Sequence, residues 1–329
     1  MSEDSTSGDN AGKMLSERSP AVTIPPSGRN ATDKENIFIQ ATDTKPCGCG
    51  AGGGMEASTS NPDSARSMMN PAAHSYVYAL GRIQPRFPSL SIEREFRQVV
   101  GQAETAGQTD PQAMQSILTK RENRYLVRQL CWVLTIEGIE TYILQPRDPT
   151  EFDLFVDALR STPRPTDVDL IIGVRGPIAS PQTCNGLMVP LVAVNQIYSF
   201  DVDALIRSIP RPEGTREDQF KSTAEELFYR IMQMADNAGA TDEHRALNYE
   251  AVRDPRIYAH TTEMHGRNFS LSAVEVRPSR LSSTRKIVDV IYSYTNRNTD
   301  VVEKYFVRVD VTEEFPFLQT RLSPFYDRQ

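Results

Sequence analysis

Four cysteines and four histidines are the residues with the most reactive side chains in this chain of 329. Cys184 stands out among them. It lies in the loop Ser180–Met188, SPQTCNGLM, where Asn185-Gly186 permits positive φ and a tight turn. A nucleophilic thiolate needs a base within hydrogen-bond reach and a third group to orient that base. The available bases, His244, His260 and His265, lie far along the chain, so two readings stay open. Cys184 is either a turn or contact residue, or a catalytic thiol. Cys131, between Leu130 and Trp132, reads as a small core residue.

Cys47 and Cys49 could offer two thiolates to a soft metal, but a closed structural site wants four ligands. They read as part of a Gly-rich tether, with a labile metal or persulfide carrier as the alternative. Gly48, Gly50 and Gly53 satisfy G-x-G-x-x-G, yet the flanks ATDTKP and MEASTS supply neither the strand nor the helix that a phosphate cradle needs. No cofactor is therefore expected. His244 falls in Thr241-Asp-Glu-His-Arg245, the polar first turn of a helix, and reads as solvated. Arg82, Arg86 and Arg175, with Arg277 and Arg280, are candidate carboxylate-recognising forks. The candidate peptide-contact or reactive set is thus Cys184, Asn185, Arg82, Arg86, Arg175 and His244.

Composition narrows the classes. A formal charge of −7 without a Lys/Arg block leaves no basic stripe for nucleic acid. The start MSEDSTSGDN has neither a basic n-region nor an apolar h-region, and Leu187–Val194 is too short to span a bilayer. A cytoplasmic protein with reduced thiols is expected. Residues 1–70 hold one aromatic, Phe38, and too few core formers to offset ordering entropy, so they read as a disordered tail.

The elements that must position these side chains begin at about Pro71. Tyr76–Ile83 reads as a strand, and Ile92, Phe96 and Val99/Val100 lie at helical spacing. Asp110-Pro111 starts a long amphipathic helix carrying Met114, Ile117/Leu118, Leu126 and Leu130. Cys131–Gln145 predicts a strand pair about Glu137-Gly138, Thr150–Arg160 a short helix, Val168–Val174 and Val189–Phe200 strands, and Asp201–Ile209 a helix. Helices covering a sheet are expected.

Pro210-Arg-Pro-Glu-Gly214 reads as a linker. Beyond it, Thr215 and Asp218 suggest a capping box, Phe220 to Met234 a helical stripe, and Gly239 its stop. Thr241–Val252 and Pro255–His265 follow as helices. Lys286–Tyr294 and Val302–Val311 predict a hairpin, with Val288, Val290 and Tyr292 on one face and Ile287 and Ile291 on the other; Phe315–Leu318 adds an edge strand. The fold class is α+β: a disordered tail 1–70, a mixed module 71–210, and a module 211–329 of helices followed by a small antiparallel sheet.

Several segments carry a resemblance: YALGRIQPRFPSL (Tyr78–Leu90), RQLCWVLTIEG (Arg128–Gly138), TCNGLMVP (Thr183–Pro190), QMADNAGATDEHRALNY (Gln233–Tyr249) and FSLSAVEVRPSRL (Phe269–Leu281). In this order, over about Ala73–Arg328, the chain resembles the C-terminal region of the PatG-type cyanobactin maturation proteins. That resemblance implies two consecutive modules and a role in making ribosomally synthesised, post-translationally modified peptides. In the fused members a subtilisin-like peptidase lies upstream. Residues 1–70 show no Asp/His/Ser peptidase signature, so cleavage or macrocyclisation is not carried over. The first reading is a non-catalytic module that binds a precursor peptide or a peptide-processing enzyme. The rivals are a thiol- or metal-dependent peptide-modifying enzyme using Cys184 or Cys47/Cys49, and a purely architectural module that forms homo-oligomers.

Overall fold

The computed structural model describes residues 75–102, 108–234 and 236–326. The tail 1–70, with its Cys47/Cys49 and glycine motif, lies outside them. The described residues form nine strands and eight α-helices. β1 (Tyr76–Arg86), β2 (Cys131–Ile136), β3 (Ile139–Pro146), β4 (Asp167–Ile178) and β5 (Pro190–Asp201) close into a barrel of order β1-β2-β3-β5-β4. The sequence pattern pointed to a sheet under helices; closure is the difference. It arises because β1 changes partner midway, pairing with β4 from Tyr76 to Gly81 and with β2 from Arg82 to Arg86. A short parallel pairing of β3 with β5, from Ile143 to Pro146, completes the circuit. Close approach at the corner needs glycine: a Cβ on Gly81 would lie 2.6 Å from the Thr135 carbonyl oxygen.

Local signals place most elements. Glu137 and Gly138 take φ of 49° and 83° and join β2 to β3, the twist-matched hairpin turn that such a dipeptide favours. α4 (Phe152–Ala158) follows a 3-10 turn entered through Asp148, whose carboxylate accepts from Thr150 N at 2.8 Å. α5 (Val202–Ser208) is capped by Asp201, which accepts from Ala204 N at 2.9 Å. The long helix expected from Asp110 to Leu130 is instead broken into α2 (Asp110–Leu118), a 3-10 turn over Arg121–Asn123 and α3 (Arg124–Gln129). Asn123 holds the break: it is buried, and its amide donates to the Ile117 carbonyl at 2.9 Å. α1 (Leu90–Gln102) packs beside α2 and α3.

Beyond Pro210–Gly214 come α6 (Glu217–Met232), α7 (Asp242–Arg253) and α8 (Pro255–Gly266). The expected Thr215/Asp218 box is not formed; the N-cap is Arg216, without a side-chain cap bond. Asp254 does cap α8, accepting from Arg256 N at 3.0 Å. The sheet then follows in order β6 (Phe269–Pro278), β7 (Ile287–Asn296), β8 (Val302–Asp310) and β9 (Phe317–Pro324), antiparallel throughout. The hairpin matches its sequence pattern; the edge strand expected over Phe315–Leu318 instead begins at Phe317 and runs to Pro324, and β6 is a fourth strand that the pattern did not single out. Val288, Val290 and Tyr292 face the core, as their alternation requires.

β1 is apolar on both faces because both are covered. Val77 and Ala79 pack with Trp132, Leu144 and Phe155. Tyr78 and Leu80 join Leu170, Phe220, Leu227, Tyr258 and Val290 in a core that continues across the Pro210–Gly214 loop. The edge of β1 at Tyr78, not yet paired with β2, is closed by the segment after α6. Tyr78 N donates to the Gly239 carbonyl at 2.8 Å, and Asn248 donates to the Tyr78 carbonyl at 2.8 Å. Gly239 is therefore not the stop of α6, which ends seven residues earlier at Met232. Its φ of 67° and the Tyr78 backbone lying where a Cβ would point allow the strand edge to be sealed.

Candidate functional site

The structure does not gather the sequence-derived candidates into one constellation. Cys184 is fully buried and bonded to Cys131, with a Cα–Cα distance of 6.0 Å. The expectation of free thiols is thus corrected at these two positions. The physical reason is the alternation of β2: Trp132 and Leu134 point into one cluster, while Cys131 and Val133 point to the opposite face. The segment 179–189 folds over that face and drives Cys184 into it, beside Ile143 and Ala179. Asn185 and Gly186, with φ of 47° and 84°, form the exposed turn.

The arginines are spread along β1 and its neighbours. Arg82 donates to the backbone carbonyls of Asp167, at 3.2 Å, and Pro165. Arg86 is paired with Glu140. Both therefore serve the barrel wall. Arg175 is exposed at the opposite end of β1, where its backbone N meets the Ser75 carbonyl. That puts it roughly 35 Å of extended strand away from Arg86. Arg277 lies over the Phe325 ring at 4.9 Å on the outer face of the second sheet.

His244 is half-buried, not simply solvated. Its backbone N donates to the Thr241 hydroxyl at 3.1 Å, and burial depresses the imidazole pKa, partly offset by Glu243 and Asp236. Among the described residues, no three His, Cys, Asp or Glu side chains are grouped to hold a metal ion, and no helix is long and apolar enough to cross a membrane.

Two features outside that set carry more physical content. The first is Glu250 in α7, which is fully buried with its carboxyl group set beside that of Asp254. Burial, and then the nearby Asp254 charge, push its pKa well above the ordinary 4.5. In the folded chain Glu250 keeps its proton where the unfolded chain releases it, so stability declines as pH rises from about the ordinary carboxylate value toward the raised one. Glu250→Gln is expected to flatten that decline, worth up to about 1.4 kcal/mol per pH unit, and to make the variant the more stable form at pH 8. Denaturant titrations at pH 5 to 8 check it; parallel curves for the two proteins would contradict the assignment.

The second is a cleft of about 310 Å³ between the Arg121–Gln129 segment and the turn that opens α4. Arg121, Arg124 and Arg128 line one wall, and Pro149, Phe152 and Asp153 the other. Spacings of three and four residues put the three arginines on one helical face. The break after α2 aims that face at α4. Arg124 is paired with Asp153, while the exposed Arg121 and Arg128 side chains have no acidic partner among the described residues. The sequence signal was present in the arginine spacing, but the residues read as part of an uninterrupted amphipathic helix.

The barrel with its helices and appended sheet places the chain in a known structural class. It is similar to a solved structure described as a PatG domain of unknown function, at 20% identity and a TM-score of 0.63, covering 76% of this chain and 98% of that one. The PatG Domain family matches residues 76–269 and the PatG C-terminal family matches residues 214–325. The chain belongs to the PatG family, which is associated with PatG-type cyanobactin maturation. No curated protein matches it.

Proposed function

We propose that this chain is a non-catalytic binding module that receives a precursor peptide, or the enzyme processing it, during maturation of ribosomally made, cyanobactin-like peptides. Family membership over residues 76–325 supports the pathway. The observation that carries binding over thiol chemistry is the state of Cys184. A sulfur buried and bonded to Cys131 has no thiolate to attack with. This reading puts the module in the cytoplasm, where precursor peptides are made and disulfides are rare; Cys184 is shielded there by burial even when its bond to Cys131 is reduced.

The test uses the full chain with a cyanobactin-type precursor peptide. Calorimetry should show binding, and mass spectrometry should show the peptide unchanged by this protein alone. A mass change produced by the purified chain without other enzymes would replace the reading with a catalytic one. Metal analysis of the same preparation decides whether Cys47 and Cys49 carry a metal.

A further inference from the structure

We infer that the arginine cleft between the Arg121–Gln129 segment and the start of α4 binds an acidic peptide segment through two carboxylates, one held by Arg121 and the other by Arg128. This rests on the peptide-binding reading above and assigns it a place and a ligand class.

Charge is the first argument. The chain holds 43 acidic residues against 36 basic ones, and many of its arginines are paired, among them Arg86, Arg160, Arg256 and Arg308. Two guanidinium groups on one face are left without an acid. A carboxylate ligand matches the planar fork of each group. Arg124 does not compete for the ligand, because Asp153 already holds it.

Rigidity is the second argument. Phe152 contacts Phe155 at 6.1 Å between ring centroids, and Phe155 stacks on Trp132 at 5.3 Å. The apolar wall is therefore anchored in the barrel core, and Pro149 stiffens its rim. That wall adds little ordering cost on binding, which falls instead on the exposed Arg121 and Arg128 side chains.

Size and sign choose the ligand class. A cleft of about 310 Å³ is at the small end for ligand sites, suited to a few side chains. Nucleic acid wants an extended basic stripe, and here Asp153 lies in the cleft itself while Glu122 adjoins Arg121. Arg121 and Arg128 are seven residues apart, roughly 10 Å along a helical path. An extended peptide advances about 3.3 Å per residue. Carboxylates three residues apart therefore span the same distance.

The experiment uses a labelled hexapeptide with glutamates at positions 2 and 5, its diglutamine twin, inorganic phosphate and a short single-stranded oligonucleotide. Fluorescence anisotropy follows binding to the full chain. The diglutamate peptide should bind at least about tenfold more tightly than its twin. Arg121→Ala and Arg128→Ala should each weaken it roughly tenfold, with unchanged melting, and a change at the exposed, distant Arg216, Arg216→Ala, should have no effect. Equal binding of the twin, indifference to both cleft variants, or tighter binding of phosphate or oligonucleotide would overturn the assignment. If the precursor peptide binds but ignores both variants, the site fails while the binding function stands. If the diglutamate peptide binds here and the precursor does not, the site stands and the binding function fails.

Discussion

Cys184→Ser is expected to lower the unfolding free energy by about 4 kcal/mol, the loop-entropy value for a cross-link between residues 53 apart. From the loop sequence alone the same substitution would look harmless, because serine suits a turn and no base adjoins the thiol. The structure reverses that expectation. Cys184 is the buried anchor of segment 179–189, and its bond to Cys131 holds that segment over Val133, Ile143 and Leu191 on the outside of the barrel. Serine removes the cross-link and leaves a hydroxyl in an apolar cluster. Denaturant unfolding of wild type, variant, and wild type in excess dithiol measures the effect. Wild type under reductant should fall to near the variant. Coincident curves for oxidised wild type and variant would show that the pair contributes nothing.

The second large effect is at Arg245, which is 1% exposed in α7. Its guanidinium donates to the Val311 carbonyl at 2.7 Å and to the Glu313 and Glu314 carbonyls. It also faces Asp242 at 3.5 Å and lies 5.2 Å from the Tyr76 ring centroid. One side chain thus ties α7 to the loop after β8 and to the first residue of β1. Asp242 keeps Lys286 when Arg245 is removed, so no buried charge is stranded. Arg245→Met instead leaves the Val311, Glu313 and Glu314 carbonyls without their donor, and an unsatisfied buried acceptor costs about 1–3 kcal/mol. We expect a loss of about 3 kcal/mol in urea unfolding. Arg245→Lys should lie between, because an ammonium cannot reproduce the fork. A methionine variant within about 1 kcal/mol of wild type would refute this role.

Much of this protein was legible before any coordinates. The turns at Glu137-Gly138 and Asn185-Gly186, the cap at Asp254-Pro255, the hairpin about residues 295–300 and the alternation of Val288, Val290 and Tyr292 are settled within a few residues of chain. Turn dihedrals, cap bonds and period-2 burial are local, so local sequence determines them. The family, too, was written in the order of segments from Tyr78 onward.

Contacts between distant segments decided the rest. Nothing near Ile143 announces that it pairs in parallel with Leu191, and that pairing turns a sheet into a barrel. Nothing near Gly239 announces Tyr78, so a residue suited to ending a helix seals a strand edge instead. Asn123 breaks the helix because its amide finds the Ile117 carbonyl in a buried corner. The break then sets Arg121, Arg124 and Arg128 against α4. Side-chain type and spacing establish what a residue can do; which partner it meets depends on chain closure over tens of residues, and only the folded core selects among those closures.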